Sequence, residues 1–186
     1  MGHTVLIATL PMHDYNEPAI TVEEYLTTSY RPDCDYVNGR IEERNLGEFD
    51  HGYLQLLLGV IFTNHRDAWG VRAVTDVRTQ VSPARFRVPD ISVLRADAPR
   101  EPMITHPPLI VIEILSPEDR LSRFQDRIGD YLEFGIENVW IIDPERRSAW
   151  TASSAGLRLV RDGELSVEGT PIQVMLQGGF AEMDRA

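Results

Sequence analysis

The sequence predicts one domain of mixed α/β or α+β architecture around a single sheet. Two strand-like runs flank Asn38-Gly39, a dipeptide typical of two-residue β-hairpins. Several later runs are apolar and of strand length, and two longer segments have apolar residues at helical spacing. Because strands and helices alternate along a chain of 186 residues, they fit one core.

The first part of the chain predicts a loose segment, a short helix, a hairpin and a long helix. Residues 1–20 are expected to be loose, and Thr21 and Glu24 after them have the spacing of a helix capping box. The run "CDYVNGRIEER" forms the hairpin. Residues 49–67, "FDHGYLQLLLGVIFTNHRD", have the length and spacing of a mostly buried helix, and Gly70 is expected to end it.

Strands dominate the rest of the chain. They are predicted around residues 71–81, 88–94 and 109–115. "PEDRLSRFQDRIGDYLEFG" predicts an amphipathic helix, because Phe124, Ile128 and Leu132 recur at helical spacing. "NVWIIDP" is a buried strand, and the remaining segments predict a short C-terminal β-meander. Residues 21–186 contain no linker and are expected to form a single domain.

Cysteine content and hydropathy indicate in which cellular compartment the protein is expected. Cys34 is the only cysteine, so the chain can form neither an internal disulfide nor a cysteine-rich zinc site. The early run "VLIATL" lacks the basic flank and the length of a signal peptide, and "LLLGVIF" is too short to cross a bilayer. We therefore expect a cytoplasmic protein that does not associate with a membrane.

The charge pattern argues against a simple basic nucleic-acid binder. The formal net charge is −11, which repels a polyanion at long range. Residues 72–100 nevertheless hold six arginines and three acids, which predicts a local basic strip, called here the 72–100 strip. All 18 basic residues are arginine and none is lysine.

Two acids stand on strands that should otherwise be apolar. Asp90 begins one predicted strand and Glu113 lies within the next, so the two converge if the strands pair. A buried carboxylate needs a cation, a proton or hydrogen-bond donors. Two carboxylates with waters and a backbone carbonyl suit Mg²⁺ or Mn²⁺ better than zinc. The alternative is structural: Asp90 is a turn residue after Pro89, and Glu113 pairs with an arginine.

Four segments resemble a known family. "DYVNGRIEE", "VPDISV", "LIVIEILSP" and "YLEFGIENVWIIDP", in this order, are similar to the Uma-type endonucleases of the PD-(D/E)xK nuclease superfamily. The resemblance covers roughly residues 21–150. It implies a restriction-endonuclease-like αβββαβ core with a mixed central sheet. It also implies Mg²⁺-dependent or Mn²⁺-dependent cleavage of DNA, in which Asp90, Glu113 and the carbonyl of Ile114 hold the metal.

The chain departs from this pattern at the lysine position. The superfamily lysine, two residues after the second acid, is Leu115 here. The Uma-type pattern has its lysine on the following helix, four residues before a tyrosine, and Arg127 stands there before Tyr131. Arginine stabilises anionic charge but does not manage a proton as lysine can. Arg123, one turn earlier, is a candidate for sharing that role, and the alternative for Arg127 is a solvated or ion-paired helix residue.

The resemblance implies two further site residues. The family places acids near the cleft after the hairpin, and of the two here we choose Glu43 over Glu42, although Arg40 stands where the family has its usual acid. His51 matches a histidine position common in the family and is expected to reach the cleft or a phosphate. An exposed hairpin acid and a surface histidine are the plainer alternatives.

The expected partner is nucleic acid, first of all DNA. Superfamily nucleases that cut duplex DNA often pair two active sites, and the C-terminal strands offer apolar edges, so we expect a homodimer. A second function stays open, in which the domain keeps the nuclease fold but serves as a binding or regulatory module. A third is an interaction domain whose strand acids are purely structural.

Overall fold

A computed structural model of the chain describes residues 19–44, 48–117 and 121–185, without the side chains of 121–123. The predicted loose segment at residues 1–20 lies almost wholly outside this range. The helices are α1 (Val22–Thr27), α2 (Phe49–Asn64), α3 (Arg66–Trp69), α4 (Leu121–Phe134) and α5 (Leu176–Met183). The strands are β1 (Asp35–Val37), β2 (Arg40–Glu42), β3 (Val71–Thr75), β4 (Thr79–Ser82), β5 (Arg85–Arg87), β6 (Ile91–Arg95), β7 (Ile110–Ile114), β8 (Val139–Asp143), β9 (Ser148–Ser153), β10 (Gly156–Leu159), β11 (Glu164–Ser166) and β12 (Gln173–Met175).

A mixed six-stranded sheet forms the centre of the fold, in the order β10-β9-β8-β7-β6-β3. The β7 and β8 strands are parallel, with α4 between them in the chain, and the other neighbours are antiparallel. The expected mixed α/β class is therefore confirmed. In the described part of the chain β3 forms one edge of this sheet.

Both faces of the central sheet are buried, which explains why β7 and β8 read as continuous apolar runs. Residues from α2 and α5, including Leu58 and Phe180, pack on one face against Ile112. The apolar stripe of α4 packs on the other face, where Ile128 contacts a cluster that includes Val111. Residues of opposite parity on β7 thus face opposite layers. Glu113 has the parity of Val111, which places it on the α4 side.

A second, four-stranded sheet, in the order β2-β1-β5-β4, carries the N-terminal hairpin. The predicted turn at Asn38-Gly39 is confirmed, with both residues at positive φ. The predicted capping box of α1 is confirmed as well, since the Thr21 and Glu24 side chains each bond the other's backbone. Tyr25 of α1 packs into the aromatic core of this sheet. The hairpin is thereby held beside the central sheet.

The prediction of one sheet and of one strand over residues 71–81 was wrong. Asp76, at φ +53°, ends β3, and the chain continues as β4 in the four-stranded sheet. The short β5 strand, residues 85–87, was not predicted. A tight turn at an acid lets two neighbouring apolar runs join different sheets, which an uninterrupted apolar pattern does not reveal.

The long helix and the C-terminal region also differ from expectation. The predicted helix at 49–67 is not mostly buried, because Phe49 (69%) and Leu56 (62%) are exposed on its outer face. The expected meander consists of two separate hairpins, β9-β10 and β11-β12, followed by the unpredicted helix α5. Among the described residues, none of the helices combines the length and apolarity needed to cross a membrane.

Candidate active site

Two buried acids, Asp90 and Glu113, meet at one end of the paired strands β6 and β7. Ile91 pairs with Ile112 in the antiparallel register, so the residues just before and just after them face each other. Each acid is only 2% exposed. The sequence expectation that the two acids lie together on adjacent strands is met by this register.

Asp90 is held from three sides. Arg44 donates to its Oδ1 at 2.5 Å, and the backbone N–H of Ile114 donates to Oδ2 at 2.7 Å. His51 Nε2 lies 3.3 Å from the same Oδ2. Burial disfavours the charged carboxylate, but the contacts with His51 and Arg44 outweigh it and hold the pKa of Asp90 below its usual range.

The same contact acts on His51 in the opposite sense. Burial alone would lower the pKa of its imidazolium, but the hydrogen bond and the negative charge of Asp90 raise it above the ordinary value. The histidine therefore holds its proton more readily than an ordinary imidazole does. His51 lies in the first turn of α2, whose Leu54, Leu58 and Phe62 anchor the helix on the sheet.

Glu113 has a different environment. The hydroxyl of Tyr131 donates to its Oε1, and Arg127 Nη1 lies 3.4 Å from its Oε2. Burial is the largest influence and raises the pKa of Glu113 to about 7; Arg127 opposes the shift and the charge of Asp90 adds to it. The two neighbouring acids therefore differ in how readily they hold a proton.

Arg127 bridges two carboxylates and is not a solvated helix residue. Besides contacting Glu113, it donates through Nε to Asp35 Oδ2 at 3.1 Å, and its side chain is 15% exposed. The resemblance-based choice of Arg127 thus falls on a residue that contacts the second acid. The side chain of Arg123 lies outside the described residues.

A buried ion network supports Arg127 from behind, and sequence analysis missed it. Asp35 also accepts from Arg87 Nη1 at 2.9 Å and from the N–H of Val88 at 2.9 Å. The Arg87 side chain, 2% exposed, further contacts Asp130 at 2.7 Å and Glu42 at 2.8 Å. These partners lie more than 40 residues apart in the chain. No local sequence signal could have paired them.

Of the two hairpin acids, Glu42 turns inward and Glu43 is exposed. Glu43, the chosen residue, is exposed and forms no hydrogen bond or ion pair within the described part of the chain. Glu42, the rejected one, contacts Arg87 through Oε2. Successive strand residues point to opposite faces, so only one of two adjacent acids can turn inward. The network does not include Glu43.

Sequence analysis also missed Arg44 and Gln55. Arg44 links Asp90 to Asp76, which it contacts at 2.9 Å. Gln55 donates to the backbone carbonyl of Asp90 at 2.8 Å and to Asp76 Oδ2 at 2.9 Å. The spacing of Gln55 four residues after His51 puts both on the inner side of α2, which was a usable signal.

A cavity of about 660 Å³ opens beside the acid pair. Its lining includes His51 and Leu115, the residue that follows β7. Among the described residues, Arg146 and four acids line it: the acids are Glu48, Asp50, Asp143 and Glu145. Neither Asp90 nor Glu113 is among the described lining residues, and the acidic rim that those residues form repels phosphate.

The donor types at Asp90 and Glu113 suit a hard divalent cation. Carboxylate oxygens on adjacent strands, next to the backbone of Ile114, match the ligands that Mg²⁺ prefers. Each of the four carboxylate oxygens already accepts a hydrogen bond or ion pair. Among the described residues, no group of three or more His, Cys, Asp or Glu side chains is arranged to hold a metal. A cation bound to both acids would therefore compete with Arg44 and Arg127.

The predicted 72–100 strip does not form one basic surface. Three of its arginines form ion pairs with acids: Arg78 pairs with Asp33, and Arg85 and Arg87 both pair with Asp130. The remaining three form no ion pair within the described residues, and these are Arg72, Arg95 and Arg100. A count of charges along the chain overestimated the basic area because it could not see which arginines are paired.

Comparison with known proteins identifies the relatives of this fold. Residues 22–176 match the model of the Uma2 family, described as "Putative restriction endonuclease". A crystal structure of a putative nuclease belonging to DUF820 from Anabaena variabilis superposes with a TM-score of 0.77 at 23% identity, covering 87% of this chain and 98% of the other. A cryo-EM structure of a DrdV–DNA complex aligns at a TM-score of 0.40 and 13% identity, over 70% of this chain and 11% of that one. No curated protein matches the chain.

Proposed function

We propose that this chain, which belongs to the Uma2 family, is a metal-dependent endonuclease that hydrolyses phosphodiester bonds of DNA. One observation carries the proposal: Asp90 and Glu113 meet at the end of two paired strands, and Arg127 contacts the second acid. Such a pair of carboxylates beside a cavity is what metal-assisted phosphoryl chemistry requires. Family membership supports nuclease activity in general, and the chemistry of the two acids supports the choice of Mg²⁺ or Mn²⁺.

The two acids, with the Ile114 backbone beside them, would hold the metal. Three other residues that contact the acids have separate roles. When bound, the metal supplies charge that polarises a phosphate and lowers the pKa of a water. Tyr131 fixes the orientation of Glu113 through its hydroxyl. Arg127 remains charged at every relevant pH, so its contribution is to stabilise negative charge on the phosphate. His51, whose pKa is raised, can carry a proton at Nε2.

A cleavage assay tests the proposal. Supercoiled plasmid and single-stranded DNA are incubated at low salt with Mg²⁺ or Mn²⁺ and wild-type protein, Asp90→Asn or Glu113→Gln. Both substitutions keep side-chain size and remove charge, so activity should fall to background. Glu133→Gln, an exposed position on α4, is the matched control and should cut like wild type. Cleavage that survives in both site variants would contradict the assignment.

A binding module on the nuclease fold is the second candidate. It is favoured by the arginines that already occupy both carboxylates and by the acidic rim of the neighbouring cavity. In the same assay this function predicts no cleavage with either metal. It also predicts that Asp90→Asn leaves DNA affinity unchanged.

A further inference from the structure

A basic pocket lies beyond the far end of α2, away from the acid pair. It has a volume of about 470 Å³, and Arg66, Arg72 and Arg100 line it. Among the described residues that line it, Glu101 is the one acid, and it accepts a hydrogen bond from Thr105 at 2.7 Å. In a chain with a formal net charge of −11, such an excess of arginine in one concave place is unusual.

Arg72 has hydrogen-bonding capacity to spare. Its Nη2 donates to the carbonyl of Ala98, while its Nε is buried and has no partner among the described residues. Neither Arg72 nor Arg100 forms an ion pair in that part of the chain, and Arg66 reaches only the exposed Asp67, at 3.6 Å. A planar guanidinium with unpaired donors matches the geometry of a phosphate.

A groove connects this pocket to the acid pair. A cavity of about 610 Å³ runs between α2 and the edge strand β3, and the described residues that line it include no charged side chain. At one end lies Gln55, which bonds the Asp90 carbonyl. At the other end the groove shares Thr63 and Ala73 with the arginine pocket. The described lining of the groove is therefore free of acids, and Asp76 lies at its Gln55 end, where it accepts a hydrogen bond from that residue.

The length of this path fits nucleic acid. Gln55 and Arg66 are eleven residues apart along α2 and α3, or about 16 Å at the helical rise. Successive phosphates of one duplex strand advance about 3.4 Å along the axis, so the path spans about five base pairs. The space over Gly52 and Gly59 is open, because a Cβ at either would meet no atom within 4 Å.

We propose that the arginine pocket is a phosphate-binding subsite, which takes a backbone phosphate about five base pairs from the phosphate that reacts. The nucleic-acid assignment rests on the proposed function. The phosphate chemistry of the pocket rests on Arg72 and Arg100 alone. A free phosphate compound has the same chemistry, so the test separates the two sources.

The test compares long and short DNA. Fluorescence anisotropy without divalent metal measures the binding of a labelled 24-base-pair duplex and of a hairpin with a four-base-pair stem, over a range of salt concentrations. The Arg72→Gln/Arg100→Gln variant should bind the long duplex about tenfold more weakly. The slope of log K against log salt should become shallower by about 1 to 2, since each lost phosphate contact removes about 0.9. The hairpin should bind as before.

Matched variants exclude a general charge effect. Arg158→Gln/Arg161→Gln removes the same charge from exposed positions elsewhere and should leave both affinities unchanged. Arg72→Lys should keep the salt slope. If the double variant does not fold, Arg100→Gln alone repeats the test, because Arg100 is exposed.

The outcomes separate the hypotheses. If the double variant binds the duplex as tightly as wild type, the nucleic-acid assignment is overturned. If, in addition, inorganic phosphate raises the Tm of wild type no more than that of the double variant, the pocket is not a phosphate-binding subsite at all. Phosphate stabilisation without a duplex effect assigns the pocket to a small phosphate compound. A changed sedimentation coefficient in the variant assigns it to a second copy of the chain and overturns the proposal. Arginine-dependent DNA binding without any cleavage refutes the proposed function but supports the subsite.

Discussion

The pH dependence of stability should reveal the buried carboxyl group of Glu113. Burial raises its pKa to about 7 in the folded protein, against 4.5 for an ordinary glutamate. Replacing it by glutamine imitates the protonated form at nearly the same size and keeps a polar partner for the Tyr131 hydroxyl. Arg127 keeps its second partner, Asp35, in that variant. The substitution Glu113→Gln therefore removes the titration of this carboxyl group and leaves most of its contacts in place.

The direction and size of the effect follow from linkage. Between pH 4.5 and about 7 the folded state keeps the Glu113 proton while the unfolded chain releases it, so the free energy of unfolding falls as pH rises. The contribution is fully present below pH 4.5 and is lost as pH rises through about 7. At about 1.4 kcal/mol per pH unit the total is about 3 kcal/mol. Asp90, whose pKa is lowered, does not titrate in this window.

Urea denaturation at pH 5 and pH 8 measures the effect. At pH 5 the wild type and Glu113→Gln should have similar free energies of unfolding, and at pH 8 the variant should be the more stable by about 3 kcal/mol. His51, with its raised pKa, loses stability in the same direction as pH rises; because that shift comes mainly from Asp90, with Glu113 the smaller influence, most of the His51 contribution is common to the two proteins. Equal pH dependence in the two proteins would refute the argument that Glu113 is protonated near neutrality.

Three further predictions test the residues around the acids. Arg127→Lys should keep DNA cleavage within about tenfold of wild type while Arg127→Ala loses about 10²-fold, because the need is for positive charge; equal loss in both would contradict this. Tyr131→Phe removes the hydroxyl donor of Glu113 and should move that group's titration, followed by ¹³C NMR of its carboxyl carbon, to higher pH; an unmoved midpoint speaks against the contact. Asp35→Asn leaves two arginines short of a carboxylate and should lower the free energy of unfolding by about 3 to 5 kcal/mol in urea denaturation. Glu42→Gln, on the solvent side of that network, should change the free energy of unfolding by less than about 1 kcal/mol. If Asp35→Asn and Glu42→Gln lost comparable stability, the burial of Asp35 would not explain its contribution.

The parts of the site that sequence predicted are those fixed by local pattern. Asp90 and Glu113 stand on consecutive central strands, so pairing of neighbours in the chain is enough to bring them together. Helical spacing put Arg127 and Tyr131 on one face of α4, four residues apart. The same reasoning found the hairpin through its Asn-Gly turn. In each case the information lies within a few residues or in the order of elements.

The missed parts depend on contacts between distant segments. Arg44 reaches Asp90 across 46 positions, and Arg87 reaches Asp35 across 52. From the sequence alone, many acids were equally good candidates to pair with each of these arginines. The helix α5 was missed for a different reason: Gly178 and Gly179 disfavour a helix locally, and packing of its apolar face into the core overrides them.

The absence of lysine has a mechanistic consequence. Arg87 and Arg127 are buried beside acids, and a guanidinium keeps its charge there, whereas a buried lysine can lose its proton. The arginines of the network therefore stay charged, and none of them can act as a base. Proton transfer at this site then falls to His51, the residue in contact with Asp90 whose pKa is raised and whose Nε2 can carry a proton. Glu113 must lose its proton to hold the metal, so the pH dependence of cleavage should follow those two residues and be insensitive to the choice of arginine or lysine at position 127.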